Sequence, residues 1–338
     1  MICNFSRIGR PIRQAQGTPI RFISANATRP LRRFGNLRYS RLGSLRYVGI
    51  VVALCQLADS MAVFAAGAEK ENSKPSTVDK SGFSLFNPTP SQYLRELATD
   101  GPGATESART VDAGHFQVEL TLLSYTHDRD SSGGMTRRLD SWSVAPFILK
   151  VGLLNQLDAQ IALEPYSIIR EQADGRDITR RGFGDTTVRL KYNLWGNDTE
   201  ATALAVMPYV RVPTSAPGLG NDSLEGGLIL PMEAALPAEF YLGLTTKFGA
   251  VPDEENHGYH SEFENSVAVG RELFENLFTY VEFFSWVSTE QFSQWVGTFD
   301  IGLTYSLTRN VQLNAGVNIG LTHSADDWNP FVGLAWRF

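Results

Sequence analysis

From Gly114 to the C-terminus, apolar and polar residues alternate with a period of two. Phe116, Val118, Leu120 and Leu122 alternate with Gln117, Glu119 and Thr121. Leu157, Ala159, Ile161 and Leu163 alternate with Asp158, Gln160 and Glu164. The same rhythm runs through Val188–Leu194, Phe299–Leu307 and Val311–Leu321, and the chain closes on Val332, Leu334, Trp336 and Phe338. Weaker copies lie near 139–150, 201–212, 224–235, 240–249, 261–270 and 277–287. Period two is the mark of a strand with unlike faces. The pattern predicts twelve strands of about ten residues, a length that suits a tilted crossing of a bilayer.

The connections carry a second signal, because they alternate long and short. Long ones are expected at 127–137, 167–182, 213–223, 250–260, 288–295 and 323–329. Short ones are expected at 152–156, 196–200, 237–239, 271–276 and 308–310. A soluble sandwich has no reason to gather its long loops at one end, whereas a transmembrane barrel does. In such a barrel the apolar face looks outward to lipid and the polar face lines the lumen. Closure is then required, since a strand edge left open in hydrocarbon would be unsatisfied. The expected fold is all-β, a transmembrane antiparallel β-barrel of about 12 strands with an irregular N-terminal extension.

The front of the chain is different in kind. Residues 1–68 hold ten arginines, no lysine and a single acid, Asp59, ahead of an apolar run from Tyr47 to Leu57 and the small residues around Ala65–Ala68. This is the layout of a secretory leader cleaved after Ala66 or Ala68. A membrane anchor would need about 20 apolar residues, and a mitochondrial presequence would share the arginine bias. The rest of the chain has 20 basic and 35 acidic residues, a net of −15. So acidic a body argues against nucleic acid as a partner. Both cysteines, Cys3 and Cys55, lie in the leader. The mature chain can therefore hold no disulfide and no cysteine nucleophile. The expected division is a leader over 1–68, a polar, Pro-rich extension and candidate plug over 69–110, and the barrel over 111–338.

The polar face supplies the candidate lumen lining: Glu119, Asp158, Glu164, Asp185, Arg189, Lys191, Glu282 and Asp300. Asp185, Arg189 and Lys191 form a mixed-charge stripe. It reads either as a selectivity lining or as an ion-pair network filling the barrel, and the network is the preferred reading. Twelve strands lie between barrels that side chains fill and barrels that conduct. Acids including Glu262 and Glu264 outnumber lumen bases, so an open pore would favour cations. His257 and His260 follow Asp253–Glu255 in an external loop, but their spacing specifies no metal site, and no metal or cofactor is expected. The tryptophans Trp142, Trp195, Trp286, Trp295, Trp328 and Trp336 fit interface girdles. His127 and His323 stand near loop starts with no serine motif beside them. Gly-x-Ser-x-Gly, P-loop and His-Glu-x-x-His patterns are absent, and no enzyme activity is expected.

The terminal strand, with Phe331, Gly333, Leu334, Trp336 and the final Phe338, resembles the assembly signal read by the barrel-assembly machinery of bacterial outer membranes. A wider resemblance covers roughly 90–338. Its motifs are Leu97-Ala-Thr-Asp-Gly-Pro102, Thr110–Glu119, Gly182–Gly196 with its Gly-Phe-Gly-Asp and Lys-Tyr, and the tail from Asp300 to Phe338. These resemble the outer-membrane family named for the meta pathway of phenol degradation, whose members are described as transporters. Gly101-Pro102 stands where that family has Arg-Pro, and Asn314 where it often has Asp. The resemblance implies a bacterial outer-membrane channel or transporter passing small hydrophobic or aromatic solutes, with the lipid bilayer as its surroundings. Two alternatives remain open: a structural or adhesion barrel with a closed lumen, and an outer-membrane lipid hydrolase.

Overall fold

The computed structural model describes residues 78–338 except 102, 132–135, 174, 199–200, 221–222, 254–257 and 291–292. The expected leader, 1–68, with both cysteines and the cleavage site, lies outside the described residues. The strand segments are β1 (Phe116–Asp130), β2 (Arg137–Val144), β3 (Phe147–Leu154), β4 (Leu157–Leu163), β5 (Tyr166–Ala173), β6 (Arg176–Gly182), β7 (Thr186–Trp195) and β8 (Thr202–Val212). They continue as β9 (Glu225–Leu236), β10 (Phe240–Pro252), β11 (Tyr259–Phe274), β12 (Leu277–Ser288), β13 (Val296–Thr308), β14 (Val311–Gly320) and β15 (Trp328–Arg337). Among the described residues no helix is long and apolar enough to cross a membrane.

The segments form one antiparallel sheet that β15 and β1 close, from Gln117↔Arg337 to His127↔Trp328. Three pairs of segments are single strands with a break in the middle. β2 runs on into β3 across Ala145-Pro146, β4 into β5 across Glu164-Pro165, and β6 into β7 across Phe183–Asp185. The barrel therefore has twelve strands. The breaks lie side by side, because Val144 pairs with Tyr166 above them and Phe147 with Leu163 below. A proline has no N–H for the ladder, and here two of them sit on neighbouring strands. β1 answers with a bulge between Thr121 and Leu123.

Burial inverts the order of a soluble protein. Val188, Leu190 and Tyr192 of β7 are exposed, whereas Arg189, Lys191 and Asn193 between them are buried. Likewise Val281 and Phe283 of β12 face out and Glu282 faces in, and on β13 Ile301 and Leu303 face out and Asp300 faces in. An apolar outer wall is stable only against lipid.

Three long connections differ most from their expectation: pairing reaches Asp130↔Arg137 within 127–137 and Pro252↔Tyr259 within 250–260, and the third departs furthest. The stretch 167–182 is not a loop: it continues as the β5–β6 hairpin, paired from Ser167↔Gly182 to Ala173↔Arg176. Its alternation is masked by arginines at 170, 176, 180 and 181, which stand above the lipid where both faces of a strand can be polar. β6 is the end of the strand order, so its far edge has no ladder partner. The loop after β8 lies against that edge, with Ala216 N–H donating to Phe183 O at 2.9 Å.

Candidate functional site: the lumen and the segment inside it

Residues 78–96 cover the end of the barrel that carries the short turns. Lys80 and Arg95 both pair with Asp198, at 2.6 and 3.0 Å, and Arg309 donates to Ser91 O at 3.1 Å. From there the chain enters the lumen, turns near 103–106 and returns to start β1. It has almost no regular structure, so its backbone needs partners from the wall, and inward polar side chains supply them. Glu119 of β1 accepts from Asp100 N–H at 2.9 Å. Glu282 of β12 accepts from Ala104 and Thr105 N–H, each at 2.7 Å. Thr245 of β10 accepts from Glu106 N–H at 2.8 Å, and Glu233 of β9 from Ala108 N–H at 2.9 Å. Asp158 of β4 accepts from Val111 N–H at 3.0 Å, and Asn193 of β7 donates to Ala108 O at 2.8 Å.

The charged centre is Asp100. Its carboxylate pairs with Lys150 of β3 at 2.5 Å and with Lys191 of β7, and Lys150 also pairs with Glu119. All of these side chains are buried. Arg189 reaches Glu106 at 3.1 Å, and Arg337 reaches Asp112 at 3.3 Å. Buried charges of this kind persist only when paired. The segment also approaches the wall closely. A side chain at Gly152 would strike the Asp112 carbonyl, and one at Gly103 would lie 2.8 Å from the Glu282 oxygens.

The candidate lining residues thus divide. Glu119, Asp158, Arg189, Lys191 and Glu282 point inward and hold the segment. Asp300 points inward opposite Glu282 on the neighbouring strand. Glu164 stands at the wall break and accepts from Ser143 Oγ at 2.6 Å. Asp185 lies between β6 and β7 and accepts from Ser215 N–H at 3.1 Å, which ties down the loop after β8. Arg189 and Lys191 therefore pair with the entering segment rather than with Asp185. Lys150, Glu106 and Glu233 belong to the same network. Sequence periodicity gives no reason to single them out, because their partners are far away along the chain.

Above the segment the interior turns partly apolar. Phe284 and Trp286 of β12 face in on the long-loop side of Glu282 and pack with Val296, Ala325 and Ala104, while Tyr280 faces in on its short-turn side. This corrects the expectation for Trp286, which is not an interface residue: it donates from Nε1 to Glu262 at 3.2 Å inside the barrel. A cavity of about 60 Å³ lies beside Phe284; Ile229, Val251 and Tyr209 line it together with the charged side chains of Glu106, Arg189, Arg211, Glu225, Lys247, Glu262 and Glu264. A smaller crevice of about 20 Å³ joins Thr99 and Gly101 of the segment to Leu120, Pro146 and Phe147 at the wall break.

The other candidates are also placed. Asp253, His260 and Glu290 offer ligand atoms within 4.8 Å of one another. His260 already spends both ring nitrogens on carboxylates, at 3.0 Å to Asp253 and 3.1 Å to Glu262. His257 lies outside the described residues. His127 meets Asp140 at 2.9 Å, and no serine or threonine hydroxyl bonds its other nitrogen among the described residues. Trp142, Trp328 and Tyr125 form an outward aromatic cluster at the long-loop end, with centroids 5.2 Å apart in each contact with Tyr125. Trp336 and Phe338 stack at the other end, 4.8 Å apart. Of the terminal signal, Leu334, Trp336 and Phe338 face out, while Phe331 and Gly333 face in.

Residues 99–338 match the family described as the putative MetA-pathway of phenol degradation. The chain belongs to that family. The match begins at Thr99, so it takes in the lumen segment as well as the barrel. Among solved structures, an outer membrane channel from Pseudomonas putida F1 aligns at 12% identity and a TM-score of 0.53. The alignment covers 70% of this chain and 99% of that one. The NanC porin aligns at 9% identity and a TM-score of 0.40, over 63% and 98%. The CymD monoaromatic hydrocarbon channel aligns at 8% and 0.38, over 66% and 87%. The first of these shares the fold of the family member described here, an outer-membrane β-barrel. No curated protein matches the sequence.

Proposed function

We propose that this protein is a passive outer-membrane channel for small hydrophobic or aromatic solutes, with the lumen segment acting as its plug. The observation that carries the reading is the inward pair Phe284 and Trp286, of which Phe284 lines the cavity above the segment and Trp286 packs against it. A purely aqueous pore has no use for buried aromatic rings in its lumen, whereas an apolar solute gains by leaving water against them. The family's connection with phenol degradation supports the same solute class.

The route follows from the obstacles. Asp100, Lys150 and Lys191 close the direct path along the axis. The crevice from Thr99 and Gly101 to Pro146 and Phe147 leads instead to the stacked breaks in the wall, where Pro146 and Pro165 bring no N–H to the ladder between their strands, although Thr121 N–H still donates to Pro146 O at 2.8 Å. A solute released there enters the bilayer sideways. Of the inward acids, Glu119, Asp158, Glu233 and Glu282 are spent on backbone N–H groups of the lumen segment and Glu264 on Lys247 of the wall, so ion selectivity is not their role. The barrel-assembly machinery is the expected partner in biogenesis, through the outward aromatic end of β15. Catalysis is not part of this reading, because His127 is oriented by Asp140 with no nucleophile bonded to it.

The test is equilibrium binding of toluene to the detergent-solubilised chain. Binding is expected to be saturable and to weaken about tenfold or more in Phe284→Ala, the loss of one buried ring contact. Equal binding in the wild type and the variant refutes the lumen site.

A further inference from the structure

Cross-strand partners share a face, so the registers show which residues of the long-loop end point away from the lumen. Tyr125, His127 and Arg129 of β1 stand opposite Trp142, Asp140 and Arg138 of β2. Those in turn stand opposite Ile168, Arg170 and Gln172 of β5, and then Arg181, Thr179 and Asp177 of β6. His127 also stands opposite the exposed Trp328 of β15. This face therefore looks outward. Ser124 and Thr126, on the opposite face, both receive hydrogen bonds from the buried Asn329 at 2.9 Å.

Read from the lipid upward, the outward face is ordered. First comes the aromatic cluster Tyr125, Trp142 and Trp328, the usual residents of a membrane interface. Arg181 ends the aromatic row itself, Arg170 stands one cross-strand pair above it, and Arg129 and Arg138 stand two pairs above it. Arg138 is paired with Asp140 at 2.8 Å and Arg170 with Asp177 at 3.0 Å. Arg129 and Arg181 are exposed and make no ion pair among the described residues. The face keeps a surplus of positive charge in a protein whose body is strongly acidic. It also holds a recess of about 660 Å³, lined by His127, Arg129, Arg138, Gln172, Arg176 and Asp177.

We propose that this recess binds the phosphate groups of an anionic glycolipid in the outer leaflet, while the lipid's acyl chains lie against the aromatic cluster below. Guanidinium groups match phosphate oxygens in geometry as well as in charge. The arginines of the recess stand one to two cross-strand pairs above the aromatic belt, the side on which a lipid's phosphates sit. Such a lipid would brace the β1–β2 and β5–β6 hairpins beside the broken strands, whose far edge at β6 has no ladder partner. The proposal rests on the long loops facing outward, but not on any solute passing through the barrel.

The purified full chain in phosphatidylcholine nanodiscs is titrated with bisphosphorylated lipid A, with its dephosphorylated form, and with inorganic phosphate alone. Retained lipid is read by native mass spectrometry. The phosphorylated lipid is expected to bind, and Arg129→Gln with Arg176→Gln, both in the recess, to weaken it roughly thirtyfold, from about 1 kcal/mol per arginine near a charged surface at 1.4 kcal/mol per decade. Arg271→Gln, at the short-turn end, is expected to leave it unchanged, and Arg129→Lys with Arg176→Lys to keep most of it. Heat-modifiable migration on a gel reports that each variant is folded. Equal retention of the dephosphorylated lipid overturns the proposal, and so does undiminished binding in a folded double Gln variant. Displacement by an equimolar amount of inorganic phosphate also overturns it, by making the recess a free-anion site. If the Gln variant does not fold, the comparison of the two lipids on the wild type still decides.

Discussion

Lys191 of β7 donates to the carboxylate of Asp100 at the centre of the barrel, where neither side chain reaches solvent. The pair joins the wall to a segment that otherwise has no regular structure. Removing one partner leaves a buried charge without compensation, at a cost of about 3–5 kcal/mol. Asp100→Asn is therefore expected to release the lumen segment while leaving the barrel closed. Limited proteolysis should cut between residues 95 and 112 only in the variant, and planar bilayers should show ion-conducting steps only in the variant. Identical digestion of both proteins counts against a latch.

That relationship also shows what a sequence of this kind reveals. Period two exposed the strands, and the alternation of long and short connections exposed the two ends of the barrel. Both arise from local chemistry. The plug is built from contacts between residues such as Asp100 and Lys191, or Ala104 and Glu282, and no local pattern marks those. The wall breaks were written in Pro146 and Pro165, but a proline inside one strand says nothing until its neighbour is known to carry another at the same level. Trp286 departs from the interface role that strand-end tryptophans in barrels usually take, because the register of β12 turns it inward.

The outer wall should reject charge. Leu303 lies on the lipid-facing side of β13. Leu303→Arg is expected to destabilise the folded barrel by about 2–4 kcal/mol if the site lies near the midplane, and by less nearer an interface. Urea titrations of the refolded protein in vesicles measure this. A change within about 0.5 kcal/mol would mean that Leu303 does not meet lipid.

Asp326, in the loop between β14 and β15, gives the fold a pH dependence. Burial pushes its carboxyl up to about 7, helped by Asp128 and Asp327 and opposed by Arg137. An unfolded aspartate titrates near about 4. Between these values the folded state binds the extra proton. The group's contribution to stability is thus full below about pH 4 and is lost as pH rises through about 7. Asp326→Asn is expected to melt like the wild type in acid and above it at about pH 8. A wild-type advantage at alkaline pH would contradict the assignment.

The seam where the barrel closes ends in Phe116 and Phe338. Each N–H donates to the other's carbonyl at 2.9 Å, and their rings stack at 5.8 Å. Phe338→Ala removes the ring and leaves the backbone pair. Folding in vesicles is expected to slow, with the melting temperature lowered by a few degrees, as for the loss of about 1 kcal/mol of aromatic contact. An unaltered folding rate would assign the terminal ring to no step in closure.

Uptake of a radiolabelled monocyclic aromatic by cells with and without the protein in their outer membrane tests the central claim most directly. Cells carrying the full chain are expected to take up the compound faster than cells lacking it, and cells carrying Phe284→Ala with Trp286→Ala more slowly than the wild type, while the wild-type protein passes no ionic current in planar bilayers. Uptake no faster than in cells without the protein, or a wild-type barrel that conducts ions freely, would contradict a plugged channel for apolar solutes.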